Sequence, residues 1–304
     1  MNQHSPLRTA SLIERAAELY GFAPAAAAPA PVAPVEPRPE PELRSAAEAP
    51  AAPRPVRSPA AGPEVHVDRA RLRQAALIEP EAPVGALAEE FRIVKRQLLL
   101  NARAATDLPD AKRRTILIGS AQPGEGKTFC ALNLALSLAG EKDVEILLVD
   151  ADFPKPEILA TLGLEAVRGL VDAIADPALD PESLVLRTDL KGLSVLPAGR
   201  QADNVTELLA SERTREVLAR LAAADPRRII LFDSPPALMA SPATVLATHA
   251  GQLVMVVRAD QTTEAELREA IELLSGCERV SLVLNGTGLA AGGRRFGAYY
   301  GYGQ

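Results

Sequence analysis

The pattern of apolar and polar positions divides the chain into three regimes. From Ser11 to Tyr20 the run SLIERAAELY places Leu12, Ala16, Leu19 and Tyr20 at helical spacing behind a Ser11 cap with Glu14 three residues on, which predicts a short amphipathic helix. Ten residues are too few for a helix stable by itself, so residues 1–21 read as a docking segment that folds on a partner. From Phe22 to about His66 the pattern disappears, and from Val84 a helical period returns, with Leu87, Phe91, Val94, Leu98 and Ala102 at spacings of three and four. Beyond that helix, short β-branched runs alternate with helical stretches. The strand runs are Thr115 to Gly119, Glu145 to Asp150, Leu193 to Gly199, Arg228 to Asp233, Gln252 to Val257 and Val280 to Asn285. Helical patterns cover Ala131 to Ala139, two short pieces after Asp150, a long helix over Val205 to Ala223, a stretch near Ala243 and Thr263 to Leu274. Near-continuous apolar strands, each followed by a helix, predict an α/β fold with a mostly parallel twisted sheet covered by helices on both faces.

Composition sharpens this division. About half of the 26 prolines of the 304-residue chain fall between Phe22 and Glu64, among Ala, Glu and Arg. That stretch has too little apolar surface to offset the entropy of ordering it, so 22–66 is expected to be a disordered, extended linker. The expected division is then 1–21 docking segment, 22–66 linker, 67–290 catalytic domain and 291–304 tail. Glycine lacks a three-residue period and there are two cysteines, Cys130 and Cys277. Collagen and disulfide scaffolds are thereby excluded, and both thiols are expected to be reduced. No run of 18 apolar residues and no signal-peptide core are present, so the chain is expected neither to span a membrane nor to be exported by that route. The net charge of −6 disfavours nucleic acid as a partner. Aromatics make up 3% of the chain, yet three of its four tyrosines, Tyr299, Tyr300 and Tyr302, lie in its last six residues.

The strongest chemical signal is TILIGSAQPGEGKTFCALNLA, a strand running through Ala121-Gln122-Pro123-Gly124-Glu125-Gly126-Lys127-Thr128 and Phe129 into a helix. A glycine-rich strand-to-helix turn lets backbone N–H groups and the helix N-terminus approach phosphates. Lys127 supplies a charge for the β/γ-phosphates and Thr128 a hydroxyl for Mg²⁺. Asp150 and Asp152 end one strand run and Asp233 another. The strand period would point Asp150 and Asp152 to one side, at the carboxyl edge where ligands bind in open α/β sheets.

These motifs together resemble the bacterial tyrosine kinases of exopolysaccharide synthesis, within the MinD/ParA-like P-loop ATPases, over roughly residues 84 to 304. The resemblance rests on the SAQPGEGKT loop, the strand ending Asp150-Ala151-Asp152, the Asp233-Ser234-Pro235-Pro236 motif and the AYYGYG tyrosine cluster. The layout is similar in particular to tyrosine autokinases of exosortase-associated polysaccharide loci. It implies a protein-tyrosine kinase using ATP and Mg²⁺, with nucleotide contacts from residues 122–129 and from Asn285 to adenine. Thr128 would hold the metal directly and Asp233 through water, and either Asp150 or Asp152 would take the tyrosine proton while the other assists the metal. Tyr299, Tyr300 and Tyr302 would be the phosphoacceptors. Ring assembly in relatives uses an E-x-x-R-x-x-R helix, matched here by Glu89 and Arg92 with Lys95 in the third place. A membrane-embedded chain-length determinant, a cognate tyrosine phosphatase and a peripheral place at the inner face of the cell membrane are the implied partners and setting. Phe153-Pro154-Lys155 departs from the family's usual Arg after the second aspartate, and Lys155 replaces its charge without its bidentate fork. A ParA/MinD-like ATPase switch without kinase activity is the alternative that the shared motifs leave open, and a degenerate nucleotide-binding adaptor a third.

Overall fold

A computed structural model describes residues 62–287. The docking segment, most of the linker and the tyrosine cluster lie outside the described residues. Helices are α1 (Arg69–Gln74), α2 (Ala86–Ala104), α3 (Asp110–Arg113), α4 (Lys127–Ala139), α5 (Ile158–Leu162), α6 (Leu170–Ala175), α7 (Val205–Leu209), α8 (Glu212–Ala223), α9 (Pro242–His249) and α10 (Glu264–Leu273). Strands are β1 (Glu64–Val65), β2 (Thr115–Ser120), β3 (Glu145–Asp150), β4 (Leu186–Thr188), β5 (Leu193–Leu196), β6 (Arg228–Asp233), β7 (Gln252–Arg258) and β8 (Val280–Asn285).

The eight strands form one sheet in the order β1-β4-β5-β3-β6-β2-β7-β8. The six strands from β5 to β8 are mutually parallel, and only the β4–β5 pairing is antiparallel. The apolar runs explain why: β2, β3 and β6 are buried at every position, and alternate residues divide between two cores as a period of two requires. Leu117, Leu147, Ile230 and Phe232 enter one core with α6 to α10. Ile116, Ile118, Ile146, Leu148 and Leu231 enter the other with α1, α2, α4 and α5. The expected helix from Val84 is α2, whose Phe91, Leu98 and Ala102 are buried.

β3 and β6 pair in a single register, Glu145 opposite Arg228 at the start and Asp150 opposite Asp233 at the end. At the start, Arg228 Nε donates to Glu145 Oε2 at 2.7 Å, and a terminal nitrogen of Arg228 bonds Glu182. Both members of the first pair are almost fully buried.

Four sequence expectations differ from the structure. The long helix over Val205 to Ala223 is two helices, because Ser211 adopts an extended conformation; its hydroxyl donates to Leu208 O at 2.6 Å and caps α8, the local competition that favours serine at helix starts. Residues 62–66, inside the expected linker, include β1, which pairs with β4; both strands are too short to give a periodic signal. The Leu193 to Gly199 strand stops at Leu196. The last strand run is half-exposed: β8 lies at the sheet edge, and Leu282 and Leu284 face solvent. Both cysteines are free and buried. Among the described residues no helix is long and apolar enough to cross a membrane.

Candidate nucleotide and phosphoryl-transfer site

β2 sits in the middle of the sheet, and its carboxyl end delivers the chain into the Ala121–Thr128 loop and then into α4. Gly124 and Gly126 have φ of 80° and 90°, values that side chains with a Cβ rarely adopt. Gly126 is the N-cap of α4, and a Cβ there would stand 2.1 Å from Asn285 Nδ2. Backbone amides at the start of a 13-residue helix therefore face a cleft of about 450 Å³. Pro123, Gly124, Gly126, Lys127, Thr128 and Phe129 line it, with Asp152 and Pro154 opposite.

Three of the residues expected at the nucleotide, Gln122, Glu125 and Asn285, also make hydrogen bonds within the protein. Glu125 is buried, and its carboxylate accepts from Gln122 N at 2.9 Å and from the Thr262 hydroxyl. Gln122 Nε2 donates to Glu266 Oε1 at 3.2 Å. Asn285 Nδ2 donates to Glu125 O at 2.9 Å, and its Oδ1 accepts from Gly286 N. The three brace the loop against the β7–α10 turn and the end of β8. Thr262 and Glu266 were absent from the sequence expectations, although Thr263-x-x-Glu266 is a readable capping box.

The carboxylates converge as the strand ends predict, but they do different things. Asp152 lies just past β3, and its Oδ2 accepts from Lys127 Nζ at 2.6 Å. Asp150 Oδ2 accepts from Ile158 N at 3.1 Å, which anchors the turn leading to α5, while its Oδ1 has no partner. Asp233 is fully buried, and among the described residues neither of its oxygens has a partner at hydrogen-bond distance, the Thr128 hydroxyl lying nearby. Burial first, and then the facing Asp233 charge, push the Asp150 carboxyl up to about 7. Burial also pushes Asp233 up to about 7, against the opposing pull of Lys127 and the nearby Thr128 hydroxyl.

Three unpartnered buried oxygens beside a threonine hydroxyl form a hard oxygen donor set. Among the described residues no group of three acidic, His or Cys side chains is arranged to hold a metal by itself. The oxygens of Asp150, Asp233 and Thr128 suit Mg²⁺, which takes one or two carboxylates and completes its shell with phosphate oxygens and water. Lys155 lines the same cleft but is exposed and pairs with Glu157 at 2.7 Å. On α2, Glu89 and Arg92 pair with each other, whereas Lys95 is bound within its own chain, to Ser137 O at 2.9 Å and Glu141 at 2.7 Å. Sequence reading also passed over a buried Asp172 that holds Arg200 at the carboxyl edge of the sheet.

No protein-family model matches the chain. Tyrosine-protein kinase YwqD of Bacillus subtilis is 32% identical over 183 residues, 60% of this chain and 76% of that protein. Tyrosine-protein kinase Wzc of Salmonella typhimurium is 27% identical over 76% of this chain, which spans only 31% of Wzc. Among solved structures, the VpsO kinase domain is 30% identical, with a TM-score of 0.52, over 65% of this chain and 98% of that domain. Sequence similarity and fold agree with the P-loop and its carboxylates: the chain belongs to the bacterial protein-tyrosine kinases.

Proposed function

We propose that the chain is an ATP-dependent tyrosine autokinase that phosphorylates its own C-terminal cluster, Tyr299, Tyr300 and Tyr302. The observation that carries this reading is the cluster of Asp150, Asp152 and Asp233 around Lys127, with three buried carboxylate oxygens lacking a partner beside a helix N-terminus. In this reading the loop amides of residues 123–129 and Lys127 hold the triphosphate of ATP, with Gln122, Glu125 and Asn285 holding the loop in shape. Thr128 and Asp233, assisted by one of the other two aspartates, would hold Mg²⁺, which draws charge from the transferring phosphoryl oxygens.

The chain's residues carry the remaining steps. A tyrosine hydroxyl has a pKa near 10, so one of Asp150 and Asp152 takes its proton as the phenolic oxygen bonds to the γ-phosphorus. The bond from that phosphorus to the β–γ bridging oxygen breaks, and ADP leaves. Positioning and charge stabilisation supply most of the acceleration in such transfers. Lys127 leaves Asp152 to meet the phosphates, which places Asp152 near the reacting oxygen.

The same reading assigns transfer between copies, the tail of one copy entering the site of its neighbour. Glu89 and Arg92 would face that neighbour, within a ring. Residues 1–21 would dock on a membrane-embedded chain-length determinant across the 22–61 linker, placing the kinase at the inner face of the membrane in exopolysaccharide synthesis, with a tyrosine phosphatase resetting it.

The test is to incubate the full chain with Mg·ATP, with and without the cytoplasmic peptide of such a partner, and to map modified residues by mass spectrometry. Phosphate on the cluster, lost in Lys127→Ala, is the expected result. ATP hydrolysis without phosphotyrosine under either condition would replace the kinase reading with an ATPase switch.

A further inference from the structure

A second cleft, of about 550 Å³, adjoins the nucleotide cleft, and Pro154 belongs to the walls of both. Phe153, Ala198, Arg200, Gln201, Thr206 and Pro242 contribute to its lining. It opens at the carboxyl edge of the sheet, where the chain leaves β3 and β5.

Arg200, in its wall, is held from behind by Asp172. Asp172 is buried, and its carboxylate accepts from Gly169 N at 2.9 Å, Arg200 N at 3.1 Å and Arg200 Nε at 2.6 Å. Two glycines make room for this arrangement. Gly199 has φ of 95°, and a Cβ there would lie 2.5 Å from Asp172 Oδ2; a Cβ on Gly169 would lie 2.0 Å from Pro197 O. The loop is thus shaped around the carboxylate, and the carboxylate fixes the near side of the Arg200 guanidinium. The far side is free: the side chain is 64% exposed, and its two terminal nitrogens donate to no group among the described residues. Asp203 also borders the cleft without pairing with Arg200. A guanidinium anchored through Nε and presenting its two terminal nitrogens suits bidentate capture of a phosphate.

The sequence says which phosphate. From Gly286 to Gln304 the chain carries Arg294 and Arg295 but no Asp or Glu. The side-chain anion such a segment can offer Arg200 is one that the kinase itself adds. Tyr299, Tyr300 and Tyr302 lie within four positions of one another, and the two clefts share Pro154 as a wall.

We infer that the Arg200 cleft binds a phosphotyrosyl group of a partly phosphorylated tail, holding the segment while the next tyrosine enters the nucleotide site. The inference rests on the tail being the acceptor. Phosphorylation of the cluster then becomes ordered, the first phosphate promoting the second.

The experiment uses the full chain with Tyr299, Tyr300 and Tyr302 changed to Phe, in Mg·ADP. The probes are fluorescein-labelled peptides of residues 288–304, unmodified or phosphorylated at Tyr302, followed by anisotropy. The phosphopeptide should bind about tenfold more tightly, the scale of a charge-assisted hydrogen-bond pair. Arg200→Gln should abolish that preference with Mg·ADP affinity unchanged, which shows the fold intact, and Arg200→Lys should retain part of it. Millimolar inorganic phosphate should displace the phosphopeptide only weakly. Equal affinity for the two peptides, a preference that survives Arg200→Gln, or competition by free phosphate as strong as by the phosphopeptide overturns the inference. Binding is read without catalysis, so loss of the preference while the unsubstituted kinase still modifies its tail sinks this site alone, whereas absence of tail phosphotyrosine in the unsubstituted kinase sinks the tail reading on which it rests.

Discussion

Replacing Asp233 by Asn should make the nucleotide-free protein more stable. Asp233 faces Asp150 in register from the neighbouring strand, both are fully buried, and neither Asp233 oxygen has a hydrogen-bond partner. Both carboxyls titrate near 7 in the folded chain, against an ordinary value near 4 in the unfolded one. A carboxyl whose folded pKa is raised favours the native state most at low pH, where both states are protonated. That stability declines as pH rises from about 4 to about 7 and stays low above. Because Asp150 and Asp233 share one repulsion, removing one charge should recover roughly 2–4 kcal/mol at pH 8. For a domain of this size that is about 5–15 °C in unfolding midpoint. The assay is thermal unfolding of the full chain without nucleotide or metal at pH 4, 6 and 8. The variant should match the parent at pH 4 and exceed it at pH 8. Mg·ADP should reverse the order, stabilising the parent more. A variant no more stable than the parent at pH 8, or a gap that is the same at pH 4, would refute the reasoning.

Other expectations are more local. Gly126→Ala should abolish nucleotide binding in equilibrium titrations, because φ of 90° and the 2.1 Å approach of Asn285 leave no room for a Cβ. Arg228→Met strands the buried Glu145 and should destabilise the chain by about 3–5 kcal/mol in urea unfolding, the range for breaking a buried pair. Thr262→Val removes the hydroxyl that Glu125 accepts and should raise the Michaelis constant for ATP several-fold with little change in folding stability. Burial opposes the Asp172 charge, but Arg200 and two backbone amides outweigh it and hold the carboxyl below its ordinary value. That contribution is present above pH 4 and is lost as pH falls further, so Asp172→Asn should flatten the acid limb of the unfolding profile below pH 4.

The fold was legible wherever a run of apolar residues was long enough to have a period. β2, β3 and β6 announce themselves because every position is buried, and the P-loop because its glycines do a backbone task that other residues cannot. Asp233 was found by its place at a strand end, not by any feature of its own. Illegible were the elements set by long-range pairing: β1 and β4 have too few residues for a pattern, and Ser211 breaks a helix that periodicity alone would carry through. Within the site, sequence spacing grouped Asp150 with Asp152, whereas three-dimensional pairing sets Asp150 against Asp233 and Asp152 against Lys127. The second cleft was invisible because Asp172 and Arg200, 28 positions apart, have meaning only as a contact.

The β3–β6 register links two chemically opposite ends of one strand pair. Asp150 stands five positions after Glu145, and Asp233 five after Arg228, about 16 Å of strand at each. A one-residue slip would break the Glu145–Arg228 pair and turn every side chain of the slipped strand to the wrong face. The same slip would carry Asp233 out of line with Asp150. The ion pair therefore acts as an alignment pin: attraction at the amino end of the strands obliges two like charges to meet at the other, and the spacing of the acidic pair is set by residues that never approach the nucleotide.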